Sequence, residues 1–113
     1  MYEYRAKVIK VYDGDTITVE VVLGFGVYKT EVLRLNGIDA PELRGEERPY
    51  GLVTRDKLRE LIMDQEIIIK TYKDKKGKYG RYIADVYIEQ PEIGIVCVND
   101  WLVENKLAVY QQY

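Results

Sequence analysis

Histidine is absent from this chain of 113 residues, and cysteine occurs once. Without an imidazole there is no Ser–His or Cys–His nucleophile, and a single thiol leaves a zinc site short of ligands. Cys97 cannot form an internal disulfide, which fits a reducing compartment. No run of about 18 apolar residues is present, so no helix is expected to span a membrane. The opening stretch, MYEYRAKVIK, lacks the apolar core of a signal peptide. The chain is therefore expected to be cytoplasmic by default, or exported if a leader has been removed. A strong positive balance is missing too: 17 Lys and Arg face 19 Asp and Glu, a net charge of −2. A protein that coats nucleic acid by bulk charge is usually basic.

What the chain does have is tyrosine, eleven against a single phenylalanine, and an ordinary folded composition with 47% hydrophobic and 32% charged residues. That is enough for one domain, residues 1–113, with a modest core. Its charge is uneven. Residues 70–82, KTYKDKKGKYGRY, carry six Lys or Arg and one Asp, which points to a local anion site.

The apolar pattern is mainly that of strands. Residues 4–12 read as a strand entering a turn at DGD. From Asp15 onward, Ile17, Val19 and Val21 alternate with Thr16, Thr18 and Glu20, the period of a half-buried strand. GFG at 24–26 is a turn signal, and 27–35 reads as the next strand. Leu58, Leu61 and Ile62 lie at helical spacing, predicting a helix over 51–63. Strands are expected over 66–72 and 81–88, joined by a turn at DKKGKYG, and Asn99 is expected to cap a short helix through Trp101, Leu102 and Val103. About five strands in antiparallel order, with a helix between the third and fourth and two or so short helices in all, suit a closed Greek-key barrel of the OB type.

The segment LRLNGIDAPEL, residues 33–43, runs from a strand into a rigid acidic corner. Asp15 shares its face with Ile17 and Val19, so it is placed at the inward rim of the barrel. Arg34 shares parity with Tyr28, Thr30 and Val32, a face read as buried, so it too is expected to point inward. A buried carboxylate and guanidinium are costly unless paired or bound to something. Pro41 fixes its own φ and biases Ala40 toward extended backbone, holding Asp39, the Ala40 carbonyl and Glu42 in a defined relation. Asp15, Asp39, that carbonyl and nearby Glu42 make a hard-oxygen set of the kind calcium accepts. A structural ion pair of Arg34 with Asp15 or Asp39 explains the same residues equally well.

Four stretches, VYDGDTITVEV, LRLNGIDAPE, KYGRYIADVYI and VNDWLVENKLA, together resemble the staphylococcal nuclease-like (thermonuclease) family, in the family's order and over most of residues 8–108. The resemblance implies a five-stranded OB-fold barrel and a Ca²⁺-dependent hydrolysis of phosphodiester bonds in DNA and RNA. By position it assigns the metal to Asp15, Asp39 and the backbone carbonyl of Ala40, and the attacking water to Glu42. It assigns the scissile phosphate to Arg34 and Arg81, a neighbouring terminal phosphate to Lys78 and Tyr79, and a place beside the metal to Asp13. The expected partners are DNA and RNA, single strands preferred, with a monomeric chain and no membrane. The alternative is a non-catalytic scaffold that binds single-stranded nucleic acid or a protein on the same barrel. This sequence departs from the family in a shorter segment between Glu42 and Tyr50 and in its low pI. A second nucleotide-contacting tyrosine has no clear match, since Tyr110 and Tyr113 are both off register.

Overall fold

The computed structural model describes residues 2–76 and 80–111, the side chains of 73–76 excepted. The first strand, β1 (Tyr2–Asp13), buries Ala6 and Val8 and then Val11. The change from even to odd positions has a local cause: the pairing of β1 with β2 (Thr16–Gly24) slips between Val8 and Lys10. The slip is a bulge whose extra residue turns the later side chains back toward the core. β2 buries Ile17, Val19 and Val21 as the alternation predicts.

Against the sequence expectation, β3 (Val27–Leu35) buries its odd positions, Leu33 and Leu35, and leaves Tyr28, Thr30 and Val32 exposed. Lys29 and Glu31 share the inward side, opposite Val21 and Val19 in the β2–β3 ladder, and pair with each other at 2.9 Å. Arg34 therefore leaves the barrel wall on the side opposite Leu33 and Leu35.

After β4 (Ile38–Asp39) come a single 3₁₀ turn, Gly45–Glu47, and α1 (Arg48–Ile62). Pro49 in its first turn explains why α1 starts before residue 51, since proline there gives up an N–H that no helix uses. Its inward stripe is Gly51, Thr54, Leu58 and Ile62. The remaining elements are β5 (Glu66–Lys76), β6 (Tyr82–Gln90), β7 (Gly94–Cys97), α2 (Val98–Glu104) and β8 (Val109–Tyr110), the last paired with β4.

In space the sheet runs β3-β2-β1-β5-β6-β7, and β6 also pairs with β3, closing five strands into a barrel with β7 added outside. That is the OB-fold order of a mainly β domain. The closing pair is parallel, Leu33 to Tyr82 and Leu35 to Ala84, where the sequence reading expected antiparallel order throughout. A parallel pair needs a long crossover, and α1 with β5 supplies it. The core inside the ring includes Val8, Val19, Leu33, Ile69 and Val86, and α1 and α2 add Leu58, Ile62, Val98 and Leu102 to the same cluster.

Asn99 is not a cap. α2 begins one residue earlier, at Val98, and Asn99 is buried in its first turn. Its side chain accepts the Val86 N–H at 2.9 Å and donates to the carbonyls of Asn36 at 2.9 Å and Ala84 at 3.2 Å. Among the described residues no helix is long and apolar enough to cross a membrane.

Candidate active site

One end of the barrel gathers the start of β2, the end of β3, β4 and the approach to β6. The DGD turn leads into it. The Asp15 N–H donates to Asp13 Oδ1 at 3.0 Å, an aspartate side chain closing a turn two residues on. The Asp15 carboxylate, 12% exposed, then becomes the hub. Its Oδ2 accepts the Ala40 N–H at 3.0 Å and lies 3.2 Å from Arg34 Nη1. Its Oδ1 accepts the Thr16 hydroxyl at 3.3 Å.

Arg34 reaches the other way to Asp39, Nη2 to Oδ1 at 3.6 Å. Thr16 stands opposite Arg34 in the β2–β3 ladder and accepts Arg81 Nη1 at 2.9 Å. A continuous polar path thus runs Asp39–Arg34–Asp15–Thr16–Arg81. Arg34 is not inside the barrel, as its parity had suggested. It lies across the barrel's end, paired with Asp15 and Asp39, and its side chain is only 12% exposed.

The site is negative before anything binds. Burial, and then the hydrogen bond and charge of Asp15, push the Asp13 carboxyl up to about 6. Burial and the Asp15 charge also raise Asp39 against the pull of Arg34, and Glu47 and Glu42 add to the rise. Among the described residues no three His, Cys, Asp or Glu side chains form a metal-binding group. The two carboxylates and the Ala40 carbonyl expected from the sequence as ligands are hard oxygens, the donor type calcium accepts.

Glu42 is not on the polar path. It is exposed, with Arg44 Nε 3.4 Å from Oε2, and its backbone N–H donates to Glu47 Oε1 at 2.9 Å. Arg48 donates to the Leu43 carbonyl at 2.7 Å, so Arg44 and Arg48 both brace the acidic corner. Lys78 and Tyr79 lie outside the described residues.

Several residues that shape the site carried no chemical signal in the sequence. Thr16, one of a row of small β-branched residues, links the two arginines. Asn36 donates to Tyr72 Oη at 3.0 Å and Asp85 Oδ1 at 3.1 Å, and the Tyr72 hydroxyl donates to Asp85 Oδ2 at 2.8 Å. That bond, with burial, lifts the Tyr72 phenol to about 12. Gly14 and Gly51 matter by what they lack. A Cβ on Gly14 would meet Thr54 Cγ2 and would lie 2.7 Å from Ala40 Cβ. A Cβ on Gly51 would meet the Glu42 carbonyl oxygen and would lie 2.9 Å from that of Pro41.

At Gly51 the obstacle is backbone, so either α1 or the corner must move. We expect Gly51→Ala to cost about 1–3 kcal/mol in overpacking, offset by about 1 kcal/mol of helix propensity. The net cost of about 0–2 kcal/mol lowers the melting temperature by no more than roughly 10 °C. A displacement near 1 Å at a reacting group can cost about 10²-fold, so kcat should fall far more than stability. An unchanged kcat would remove Glu42 from any positional role.

Residues 32–113 match the model of the family described as staphylococcal nuclease homologue. A thermonuclease of Staphylococcus hyicus is 34% identical over 89 residues, covering 76% of this chain and 50% of the relative. A micrococcal nuclease of Shigella flexneri is 29% identical over 115 residues, covering 98% of this chain and 60% of the relative. A probable staphylococcal-like nuclease of Oryza sativa subsp. japonica is 40% identical over 55 residues, 49% of this chain and 13% of the relative. The chain spans about half the length of the first two.

Proposed function

Since this chain belongs to the staphylococcal nuclease homologue family, we propose that it hydrolyses phosphodiester bonds in DNA and RNA with Ca²⁺. The observation that supports the reading is the unbroken path Asp39–Arg34–Asp15–Thr16–Arg81, which sets Arg34 against two carboxylates and Arg81 against the threonine bonded to one of them. An anion and a cation are both provided for within one barrel end.

In this reading Asp15, Asp39 and the Ala40 carbonyl hold the calcium ion. When bound, it polarises a phosphoryl oxygen and stabilises the charge that grows there. Arg34 and Arg81 take the nonbridging oxygens, for which the planar fork of arginine is suited. Glu42, exposed and outside the Arg34–Asp15 pairing, accepts the proton of the attacking water. With no histidine in the chain a carboxylate is the natural base, a role worth about 10²–10⁴-fold. The new P–O bond forms as the bond to the leaving sugar oxygen breaks. Lys78 and Tyr79 hold a neighbouring phosphate. Single strands are the preferred substrate, because a barrel surface meets unpaired bases directly.

The acidic balance of the chain predicts weak, salt-sensitive capture. The test is digestion of single-stranded DNA with Ca²⁺ and with EDTA. Cleavage should require the metal. Equal cleavage in both would overturn the calcium assignment, and binding without cleavage in either would turn the reading to the scaffold.

A further inference from the structure

On the far side of Asp39 and Ala40 from Arg34, between α1 and β8, lies a cleft of about 420 Å³. We propose that it is a second substrate subsite, taking the nucleoside on the side of the scissile phosphate away from Arg81. The proposal rests on the phosphodiesterase reading above and extends it.

Three observations support this occupant. The first is continuity: Asp39 and Ala40 line both the cleft and the polar path, so a strand whose phosphate lies on Arg34 passes directly into it. The second is the lining. Tyr50, Val53 and Val109 are 69%, 52% and 62% exposed around one concavity, and an open tyrosine face is a platform on which any base can stack. The Thr54 hydroxyl on its lining is committed to the Leu107 carbonyl at 2.7 Å.

The third is charge. Asp39 and Glu47 on the rim repel a phosphate from the cleft, so the neutral base and sugar enter it, while Lys106, also on its lining, stands ready for the phosphate that follows. The volume lies in the range of ordinary small-molecule sites, about 300–1,000 Å³.

The experiment compares kcat/KM on an octathymidylate with kcat/KM on nitrophenyl esters of thymidine 3′- and 5′-phosphate, which carry a small aryl group in place of one nucleoside. Wild type should prefer the oligonucleotide. Stacking is worth about 1–3 kcal/mol per base, or about 5- to 150-fold, so Tyr50→Ala should shrink that preference by such a factor and Tyr50→Phe should restore it. A preference unaltered in Tyr50→Ala overturns the subsite, as does a loss that Tyr50→Phe does not restore. If wild type cleaves none of these substrates, the phosphodiesterase reading fails alone. The subsite is then read from the Kd of fluorescent octathymidylate, which Tyr50→Ala should raise at least 5-fold, and an equal Kd refutes it.

Discussion

Arg34→Ala is expected to lower phosphodiester cleavage by about 10³-fold or more, the scale of losing a positioned arginine at a phosphoryl transition state. It is also expected to destabilise the fold. The Arg34–Asp15 pair is largely hidden, with both side chains 12% exposed at a 3.2 Å contact. Removing one partner leaves Asp15 facing Asp13 and Asp39 without its cation, at a cost of about 3 kcal/mol. The two effects separate in Arg34→Lys. An ammonium group keeps a positive charge near Asp15 and should return much of the melting temperature, but it cannot offer two parallel N–H donors, so the rate should stay below about a tenth of wild type. Arg81→Ala carries the same expected loss of rate. Single-turnover cleavage and thermal unfolding, measured on all three variants, decide the matter. An Arg34→Ala protein with more than a tenth of the wild-type rate removes the phosphate role and leaves Arg34 as a structural ion pair.

The second large effect is at Asn99, outside the polar path. Asn99→Ala leaves the buried Val86 N–H without its acceptor and the Asn36 carbonyl without its donor. The Ala84 carbonyl keeps the Asn36 N–H at 2.8 Å. Each unsatisfied group costs about 1–3 kcal/mol, so a total near 3 kcal/mol and a fall in melting temperature of roughly 10–15 °C follow. Asn99→Asp should be no better, because it keeps the acceptor but buries a charge. Activity should drop with stability, since Asn36 lies two residues after Arg34 and on the same stretch of chain. A melting temperature within about 3 °C of wild type would show that water replaces the amide.

Much of this molecule could be read before it was seen. The run from Ile17 to Val21 alternates because one side is fully packed and the other only half-buried. Asp15, Asp39 and Arg34 stood out because charged groups at the end of apolar strands need partners. β3 misled for a physical reason. Tyrosine, threonine and valine suit an exposed strand face as well as a buried one, and Lys29 and Glu31 stand on the inward side as a charge pair. The parallel closure of β3 on β6 is a long-range pairing, and nothing in either strand alone specifies its partner. Asn99 looked like a cap because an amide at the start of a helix is usually one. Its true partners, Asn36, Ala84 and Val86, are distant in sequence.

The contact at Gly51 carries a mechanical consequence. Because nothing larger than a hydrogen separates the helix from the Pro41–Glu42 carbonyls, the acidic corner rests on a 15-residue rod as on an abutment. The reach of an exposed glutamate is thereby tied to the stiffness of a whole secondary-structure element, and whatever rocks that rod steers the glutamate with it.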